Sequence, residues 1–388
     1  MGQEKNNNVS PTPDYQFIDT MGALNEFAQI AAGAEIIAVD LEADSMFHFK
    51  EKVCLLQMAA DGTTVVIDPL SLESLSPLNR IFADPSICKV FHGADYDVRS
   101  LYRDYEIDIQ NLFDTQLASM FLGIKETGLE AVVACHFGVE LNKKYQKKDW
   151  SRRPLSVEMV EYAALDVAFL IPLARSLMRD LEKKGRMTWV AEECELLSRV
   201  RPPAENNDPM FLKFKGAGRL EPRQLAALEL LLQMRTAIAR QKDRPLFKVI
   251  SNAALKKIAV TMPRSKKQLK ESRTLSNRQL EMYASAVMEA LKNARKIPRS
   301  QLPVYPRRRS PRLSRHVPER VKRLRAWRDG KALQLELDPG LVLNRASISA
   351  IAVENPSDTA ALKAIDGVTN WQTDAFGGEI LKSLNNQK

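Results

Sequence analysis

Cysteine is scarce in this sequence, and no long apolar run occurs. The cysteines form neither a C-x-x-C pair nor a dense framework, so neither a zinc knuckle nor a disulfide scaffold is indicated; the four of them are Cys54, Cys88, Cys135 and Cys194. The N-terminal residues lack the apolar core of a secretory signal, and no stretch approaches the ~20 apolar residues that cross a bilayer. We therefore expect a cytoplasmic protein, in a reducing compartment, that does not bind a membrane.

The length and composition predict a globular protein with more than one folded unit. At roughly 150 residues per domain, the 388 residues suggest two or three units. Hydrophobic residues make up 45% and charged residues 27%, which argues against wholesale disorder. Residues 1–200 carry 20 Lys or Arg against 31 Asp or Glu, whereas residues 201–388 carry 37 against 17. This asymmetry predicts a carboxylate-rich, metal-binding site joined to a module that binds a polyanion.

The first half of the chain predicts a mixed β-sheet with helices packed on it, an α/β domain. Apolar runs of strand length at residues 35–41, 53–59 and 63–67 predict a three-stranded meander, and residues 89–91 a short buried strand. Helical patterns dominate after that, and the longest begins at Ser156, a residue that can cap a helix, and extends to about residue 183.

The second half is all-α in pattern and contains an internal repeat. Sliding this half against itself aligns apolar positions, a proline and a helix-start pair in register: Arg235 with Arg328, Ile258 with Ile351, Pro263 with Pro356, Ser265 with Asp358, Leu269 with Leu362, and Tyr283 with Phe376. Such a match predicts two copies of one helical unit.

Basic residues are concentrated in and around these copies. Residues 292–331 hold 15 Lys or Arg against 2 acidic residues and include Arg307, Arg308 and Arg309. A solvated basic linker and a nucleic-acid contact both explain this stretch. The candidates for nucleic-acid contact in the first copy are Arg235, Lys242, Arg244 and Lys248. Those in the first half are Lys147, Lys148, Arg152 and Arg153, for which a plain solvated loop is an equal alternative.

Carboxylates at the ends of predicted strands are the candidate catalytic residues. Asp40 and Glu42 are two residues apart on one strand, so their side chains point to the same face. Asp97 follows the next strand and a His-Gly turn, where open α/β sheets build their sites. Asp95 is a nearby competitor, but its position favours a loop or a helix cap. Buried acids need a compensating cation, and a divalent metal ion is the usual one.

Tyr162 and Asp166 complete the candidate set. They are four residues apart on a predicted helix and so share one face. Taken alone, this pair also fits a packed tyrosine and a solvent-facing aspartate.

The ordered motifs resemble a known family. D-x-E at Asp40 and Glu42, H-G-x-x-x-D ending at Asp97, and Y-x-x-x-D at Tyr162 and Asp166 resemble the DEDD 3′→5′ exonucleases of the tyrosine subclass. The sister subclass has a histidine where this chain has Glu161. F-D-T-Q-L-A at residues 113–118 and K-K-D-W-S-R-R-P-L at residues 147–155 narrow the resemblance to the ribonuclease D family, and the helical half resembles two HRDC domains. The first motif reads D-L-E, as in related exosome nucleases, rather than D-T-E.

The resemblance implies an RNase H-like exonuclease fold and a two-metal reaction. Two Mg²⁺ or Mn²⁺ ions would be held by Asp40, Glu42, Asp97 and Asp166, and Tyr162 would orient the attacking water. The implied activity is trimming of structured RNA precursors such as tRNA from the 3′ end, with release of 5′ mononucleotides, and we expect the protein to act as a monomer. A DNA-directed exonuclease and a non-catalytic RNA-binding adaptor are the alternatives.

The same resemblance divides the chain into regions. These are a flexible tail (1–16), the exonuclease domain (17–200), a linker (201–217), the first HRDC domain (218–296), a basic linker (297–315) and the second HRDC-like domain (316–388). If the helical half only binds RNA, a chain ending near residue 215 should still cleave short single strands.

Overall fold

The computed structural model describes residues 14–204, 208–306 and 314–385. Most of the predicted tail, up to residue 13, and the run Arg307, Arg308 and Arg309 lie outside these residues.

A six-stranded mixed sheet forms the centre of the first half, which confirms the predicted fold class. In spatial order the strands are β1, β4, β3, β2, β5 and β6. Their bounds are β1 Gln16–Ile18, β2 Ile36–Ala43, β3 Val53–Ala60, β4 Thr63–Ile67, β5 Cys88–Phe91 and β6 Leu112–Asp114. β2, β3 and β4 are antiparallel neighbours, as the meander predicts, while β5 runs parallel to β2. All eight residues of β3 are buried, so the sheet is covered on both faces.

Eight helices accompany the sheet within the described residues. Their bounds are α1 Met21–Gly33, α2 Ser76–Ala83, α3 Asp95–Tyr105, α4 Thr115–Leu122, α5 Leu129–Phe137, α6 Val157–Ala168, α7 Leu170–Lys183 and α8 Met187–Ser198. The single long helix predicted from Ser156 is therefore two helices. Pro172 explains the break, because proline has no N–H and its ring clashes with the carbonyl four residues earlier, that of Ala168.

All regular elements of the second half are helices within the described residues. The bounds are α9 Pro222–Gln241, α10 Leu246–Val249, α11 Asn252–Thr261, α12 Lys266–Glu271, α13 Asn277–Lys296, α14 Val317–Leu335, α15 Pro339–Val342, α16 Arg345–Glu354, α17 Thr359–Lys363 and α18 Asn370–Asn385. A short 3₁₀ turn, Met210–Lys213, precedes α9.

The internal repeat is visible in hydrogen bonds as well as in helix order. Ser265 caps α12 in the first copy, and its partner Asp358 caps α17 in the second. Gln279 Nε2 donates to the Val249 carbonyl at 2.9 Å, and the matching Gln372 Nε2 donates to Val342 at 3.2 Å. Helix α9 to α13 and helix α14 to α18 are thus two copies of one unit.

The chain forms two compact units that do not follow its linear order. The first contains the described residues within Met1–Ala43, Val53–Pro202 and Pro311–Lys388, and the second those within Asp44–Lys52 and Pro203–Ser310. The second helical copy therefore belongs to the same unit as the sheet. The domain boundaries drawn from the sequence stay a prediction.

The second copy packs on α8 within the first unit. The Trp371 ring stacks on Trp189 with centroids 4.8 Å apart, and Phe121 meets Trp371 edge to face at 5.5 Å. Glu192 of α8 accepts hydrogen bonds from the backbone N–H groups of Asn370 and Trp371, both at 2.7 Å. None of the described helices is long and apolar enough to cross a membrane.

Candidate active site

Asp40 and Glu42 lie side by side on the central strand β2. Opposite them on β3, Asp40 pairs with Gln57 and Glu42 with Leu55. Cross-strand partners share a face of the sheet, and Leu55 belongs to the cluster that packs against α6. β2 is longer than predicted and reaches Ala43, so both acids are held by the sheet itself.

Asp97 reaches the same region from the first turn of α3. The side chain is 7% exposed, whereas that of Asp95 is 58% exposed and bonds Arg99 through both carboxylate oxygens, at 2.8 and 2.9 Å. The structure therefore directs Asp97 inward and Asp95 outward.

A buried carboxylate, Asp114, fixes the turn that presents Asp97. Its two oxygens accept hydrogen bonds from the backbone N–H groups of Gly93, at 3.0 Å, and Ala94, at 2.8 Å. The same side chain caps α4 by accepting from the N–H groups of Gln116 and Leu117. Gly93 has φ of +78°, in the region that favours glycine. The sequence motif F-D-T-Q contained this residue, but the spacing gave no sign of its role.

Tyr162 and Asp166 lie on one face of α6, as their spacing predicts. Helix α6 begins at its cap Ser156, whose hydroxyl accepts from the N–H of Met159. The Tyr162 hydroxyl donates to the Asp166 carboxylate. Asp166 is 9% exposed, so the alternative of a solvent-facing aspartate does not hold.

A cavity of about 370 Å³ unites these elements within the first unit. Its lining includes Asp40 and Glu42 from β2 and Tyr162 and Asp166 from α6. Asp97 does not line the cavity, but its charge raises the pKa of Glu42, so it lies within electrostatic reach. The five residues predicted from the sequence thus converge on one region.

Burial dominates the electrostatics of this acidic group. Burial raises the pKa of Asp40 to about 7. It also raises the pKa of Glu42 well above its usual value, and the neighbouring carboxylates of Asp40, Asp166 and Asp97 raise it further. The pKa values of Asp97 and Asp166 rise for the same two reasons, first burial and then the charge of Asp40. Because burial favours the protonated, uncharged form of these acids, they all ionise together only when a cation compensates their negative charge.

These residues fit a divalent metal ion in chemistry, because carboxylate oxygens are the ligands that Mg²⁺ and Mn²⁺ prefer. Within the described ranges, no group of three or more His, Cys, Asp or Glu side chains forms a ready-made ligand set for a single ion. Mg²⁺ is commonly held by one or two carboxylates together with water and substrate oxygens. The arrangement therefore suits ions shared between protein and substrate rather than an enclosed structural site.

Gln57 was missed by the sequence analysis. It is fully buried beside Asp40, and neither its Oε1 nor its Nε2 has a hydrogen-bond partner among the described residues. A buried amide without partners is expensive unless the site supplies one. The sequence offered one signal for Gln57: it is the one polar residue in the otherwise apolar run of β3.

The predicted phosphate contacts near the site differ in their surroundings. Lys147 and Lys148 are exposed, and Arg152 pairs with Asp149 at 3.1 Å. Arg153 is held by the buried Asp68, at 2.5 Å, and donates to the Trp150 carbonyl at 2.7 Å. These bonds give Arg153 a structural role.

The predicted contacts of the first helical copy lie in the second unit. The Lys242 ammonium is 5.0 Å from the Tyr283 ring centroid, and that of Lys248 is 4.4 Å from Phe47. Arg244 is exposed. Arg235, in contrast, is only 5% exposed, and its contact with nucleic acid stays a prediction.

Comparison with protein families accounts for both halves of the chain. Residues 15–182 match the family described as 3′–5′ exonuclease, and residues 224–291 and 318–384 each match the HRDC domain. The two HRDC matches coincide with the two copies of the helical unit, which confirms the repeat.

Individual relatives cover most of the chain. Ribonuclease D of Granulibacter bethesdensis is 30% identical over 355 residues, which span 90% of this chain and 88% of that protein. Ribonuclease D of Escherichia coli is 30% identical over 291 residues, which span 75% and 77%. The crystal structure of Escherichia coli RNase D, described as an exoribonuclease involved in structured RNA processing, matches with a TM-score of 0.73 and 25% identity, over 96% of this chain and 99% of that one. With this coverage and the matching motifs, the chain belongs to the ribonuclease D family of hydrolytic 3′–5′ exoribonucleases.

Proposed function

We propose that this exoribonuclease trims the 3′ ends of structured RNA precursors, tRNA precursors among them, and releases 5′ mononucleotides by a two-metal mechanism. Divalent-metal dependence is a property of the exonuclease family to which it belongs. The observation that carries the proposal is the convergence of four acids with Tyr162. Asp40, Glu42, Tyr162 and Asp166 line one cavity, and the buried Asp97 lies within electrostatic reach of Glu42. Substrate structure is proposed because the Escherichia coli relative is described as acting in structured RNA processing.

Asp40, Glu42, Asp97 and Asp166 would hold two Mg²⁺ or Mn²⁺ ions. When bound, the ions would activate the attacking water and stabilise negative charge on the phosphodiester and on the leaving 3′ oxygen. The carboxylates would supply oxygen ligands and carry the charge that their burial otherwise disfavours.

Tyr162 would position the water rather than remove its proton. Burial, followed by the charges of Asp166, Glu42 and Asp40, raises the pKa of Tyr162 well above its usual value. The phenol therefore stays protonated, donates to Asp166, and keeps its oxygen free to accept a hydrogen bond from water. A group in this state orients a nucleophile but is a poor general base.

The test replaces Asp97 with Asn in the full chain and measures the stepwise shortening of 5′-labelled RNA with Mg²⁺. Loss of a metal ligand removes several kcal/mol of transition-state stabilisation, so hydrolysis should fall at least about 1000-fold. Asp95→Asn is the matched control, because Asp95 is two residues away and exposed, and it should retain near-normal activity.

The substrate claim is tested in the same assay. A structured precursor with a 3′ extension should be shortened stepwise from that end, and a DNA strand of the same sequence should be cut more slowly. Equal activity of the Asp97→Asn and Asp95→Asn proteins would contradict the assigned site, and faster digestion of DNA would contradict the RNA substrate. We further propose that the protein is cytoplasmic and monomeric. Sedimentation of the purified chain measures its oligomeric state.

A further inference from the structure

The second unit contains a cationic cavity that the active site does not use. It has a volume of about 710 Å³ and lies between the segment that precedes α9 and α9 itself. Among its lining residues are four cations, Lys213, Lys215, Arg235 and Arg240. Asp208 is the single carboxylate among the described residues of the lining.

Arg235 is the unusual member of this set because its charge is buried without compensation. Its Nη1 donates to the Ile250 carbonyl at 3.0 Å and to Asn252 Oδ1 at 2.7 Å. Its Nε–H has no acceptor within the described residues, and no ion pair to it occurs there. Burial lowers the pKa of Arg235. A buried cation that keeps an unused donor is costly unless an anion completes its environment.

The other three cations are exposed at the cavity and are equally free of carboxylates. Lys213, Lys215 and Arg240 form no ion pair in the described part of the chain. The Arg240 guanidinium is 5.7 Å from the Phe49 ring, a contact that leaves its charge uncompensated. The cavity therefore attracts an anion and repels metal ions.

The second helical copy provides a comparison for Arg235 at the matching position. There the matching arginine, Arg328, pairs with Asp329 at 2.8 Å, and Arg345 occupies the position that corresponds to Asn252. The chain thus supplies its own counter-ion in the second copy. In the first copy, the residue that matches Asp329 is the uncharged Thr236, so Arg235 has no neighbouring carboxylate in the sequence to act as its counter-ion.

We propose that this cavity binds a backbone phosphate of the RNA substrate, with Arg235 at its floor and Lys213 and Lys215 at its entrance. A guanidinium held by two fixed acceptors is pre-organised to donate to phosphate oxygens. The volume is in the range of roughly 300 to 1000 Å³ typical of small-ligand sites, which also leaves room for the attached nucleoside. The proposal rests on the proposed function, because it takes RNA as the polyanion.

The test is equilibrium binding of fluorescein-labelled RNA to the full chain in EDTA, where hydrolysis is absent. Replacing Lys213 and Lys215 with Gln should weaken binding about tenfold and lower the slope of log K against log salt by about 1 for each cation that contacts phosphate. The control replaces Lys267 and Lys270, two exposed lysines at α12, with Gln and so makes the same change of charge. It should alter affinity less than twofold. Equal weakening by both pairs would overturn the cavity as a specific site.

Arg235→Met tests the floor of the cavity, with a thermal melt to confirm folding. If the Arg235→Met protein folds, it should bind RNA as weakly as the variant with both lysines replaced. If it does not fold, the variant with Lys213 and Lys215 replaced still tests the proposed site, because both lysines are exposed. Competition by AMP and by inorganic phosphate identifies the source of the phosphate. A backbone site predicts weak, millimolar competition by both. Tight AMP binding that the variants lose, with RNA affinity unchanged, would overturn it.

These results are separable from those for the catalytic site. Loss of RNA binding in the lysine pair with intact hydrolysis of saturating RNA supports the cavity. A chain that binds RNA through the cavity but never hydrolyses it would reject the proposed function alone.

Discussion

At the scale of single residues, the buried carboxylates make the stability of the metal-free protein depend on pH. The pKa of Asp40 is 3.8 in its usual state and about 7 in the folded protein. A raised pKa means that the folded state binds the proton more tightly, so the stabilisation is complete below pH 4 and is lost as the pH rises through about 7.

We therefore predict that, in EDTA, the free energy of unfolding falls between pH 5 and pH 8 by about 3 kcal/mol on account of this group. Thermal melts across this range measure it, and Mg²⁺ at pH 8 should restore the melting temperature. Asp40→Asn is the control, because it removes this titration and should make the fall shallower, leaving only the part due to Glu42, Asp97 and Asp166. A wild-type melting temperature that rises with pH in EDTA would contradict the prediction.

A second residue-scale prediction concerns Asp114, which acts through the turn before α3. Asp114→Asn keeps the shape of the side chain but offers one acceptor oxygen to the four N–H groups that the carboxylate now serves. We expect stability to fall by about 1 to 2 kcal/mol and kcat to fall by about 100-fold, since Asp97 moves from its position.

The control for this prediction is Asp84→Asn. Asp84 also accepts hydrogen bonds in a local turn, with Ser86, but lies outside the lining of the active-site cavity. Reduced stability with an unchanged kcat in Asp114→Asn would show that the turn does not position Asp97.

How far single residues could be predicted depended on whether their role shows in local spacing. The i, i+2 and i, i+4 intervals of Asp40, Glu42, Tyr162 and Asp166 translate directly into shared faces of a strand and a helix. Gln57 and Asp114 have roles set by cross-strand register and by a distant turn, which no local interval records. The burial of Arg235 escaped prediction for the same reason.

At the scale of elements, the contact between α8 and α18 depends on a capping carboxylate. Glu192 accepts three hydrogen bonds from Asn370 and Trp371 at the first turn of α18. Glu192→Gln removes the charge that the positive end of a helix favours, and should lower the free energy of unfolding by about 1 kcal/mol.

Thermal or urea unfolding measures this change. Glu195→Gln on the same helix is the matched control, because Glu195 is exposed and its one ion pair within the described residues is with Arg199. Its effect should stay within about 0.5 kcal/mol. Equal effects of the two substitutions would mean that the cap does not stabilise the contact.

Elements with a strong pattern were predicted well, and short ones were not. β3 and β4 match their apolar runs closely, whereas β1 and β6 are three residues each and offer no period to detect. The predicted long helix was wrong because its apolar pattern continues through Phe169, although Pro172 cannot continue the hydrogen-bond ladder. The two copies of the helical unit were predictable because helix caps and apolar positions recur together at the same spacing in both copies.

At the scale of the whole molecule, the partition into units argues against the expectation that the helical half can be removed without affecting cleavage. The sheet unit includes the second copy, whose Trp371 stacks on Trp189 and whose Leu335 carbonyl accepts from Arg186 at 2.8 Å. A chain that ends at residue 310 or earlier exposes these surfaces.

We predict that the free energy of unfolding is lower in a chain ending at residue 310. The decrease should exceed the roughly 3 to 5 kcal/mol typical of removing one buried tryptophan side chain. The measurements are thermal melting and binding of a hydrophobic dye. A chain ending at residue 385 is the control and should match the full protein. A shortened chain with an unchanged melting temperature and normal cleavage of short RNA would restore the original expectation.

The interleaved order of the units also bears on how the protein is made. Glu192 on α8 bonds Trp371, which is 179 residues further along the chain. At about 5 to 20 residues per second, a ribosome needs roughly 10 to 40 s to deliver that partner. During this interval Trp189 of α8 is exposed on the nascent chain, because its stacking partner Trp371 has not yet been synthesised. We therefore expect chaperones to bind this protein before its synthesis is finished.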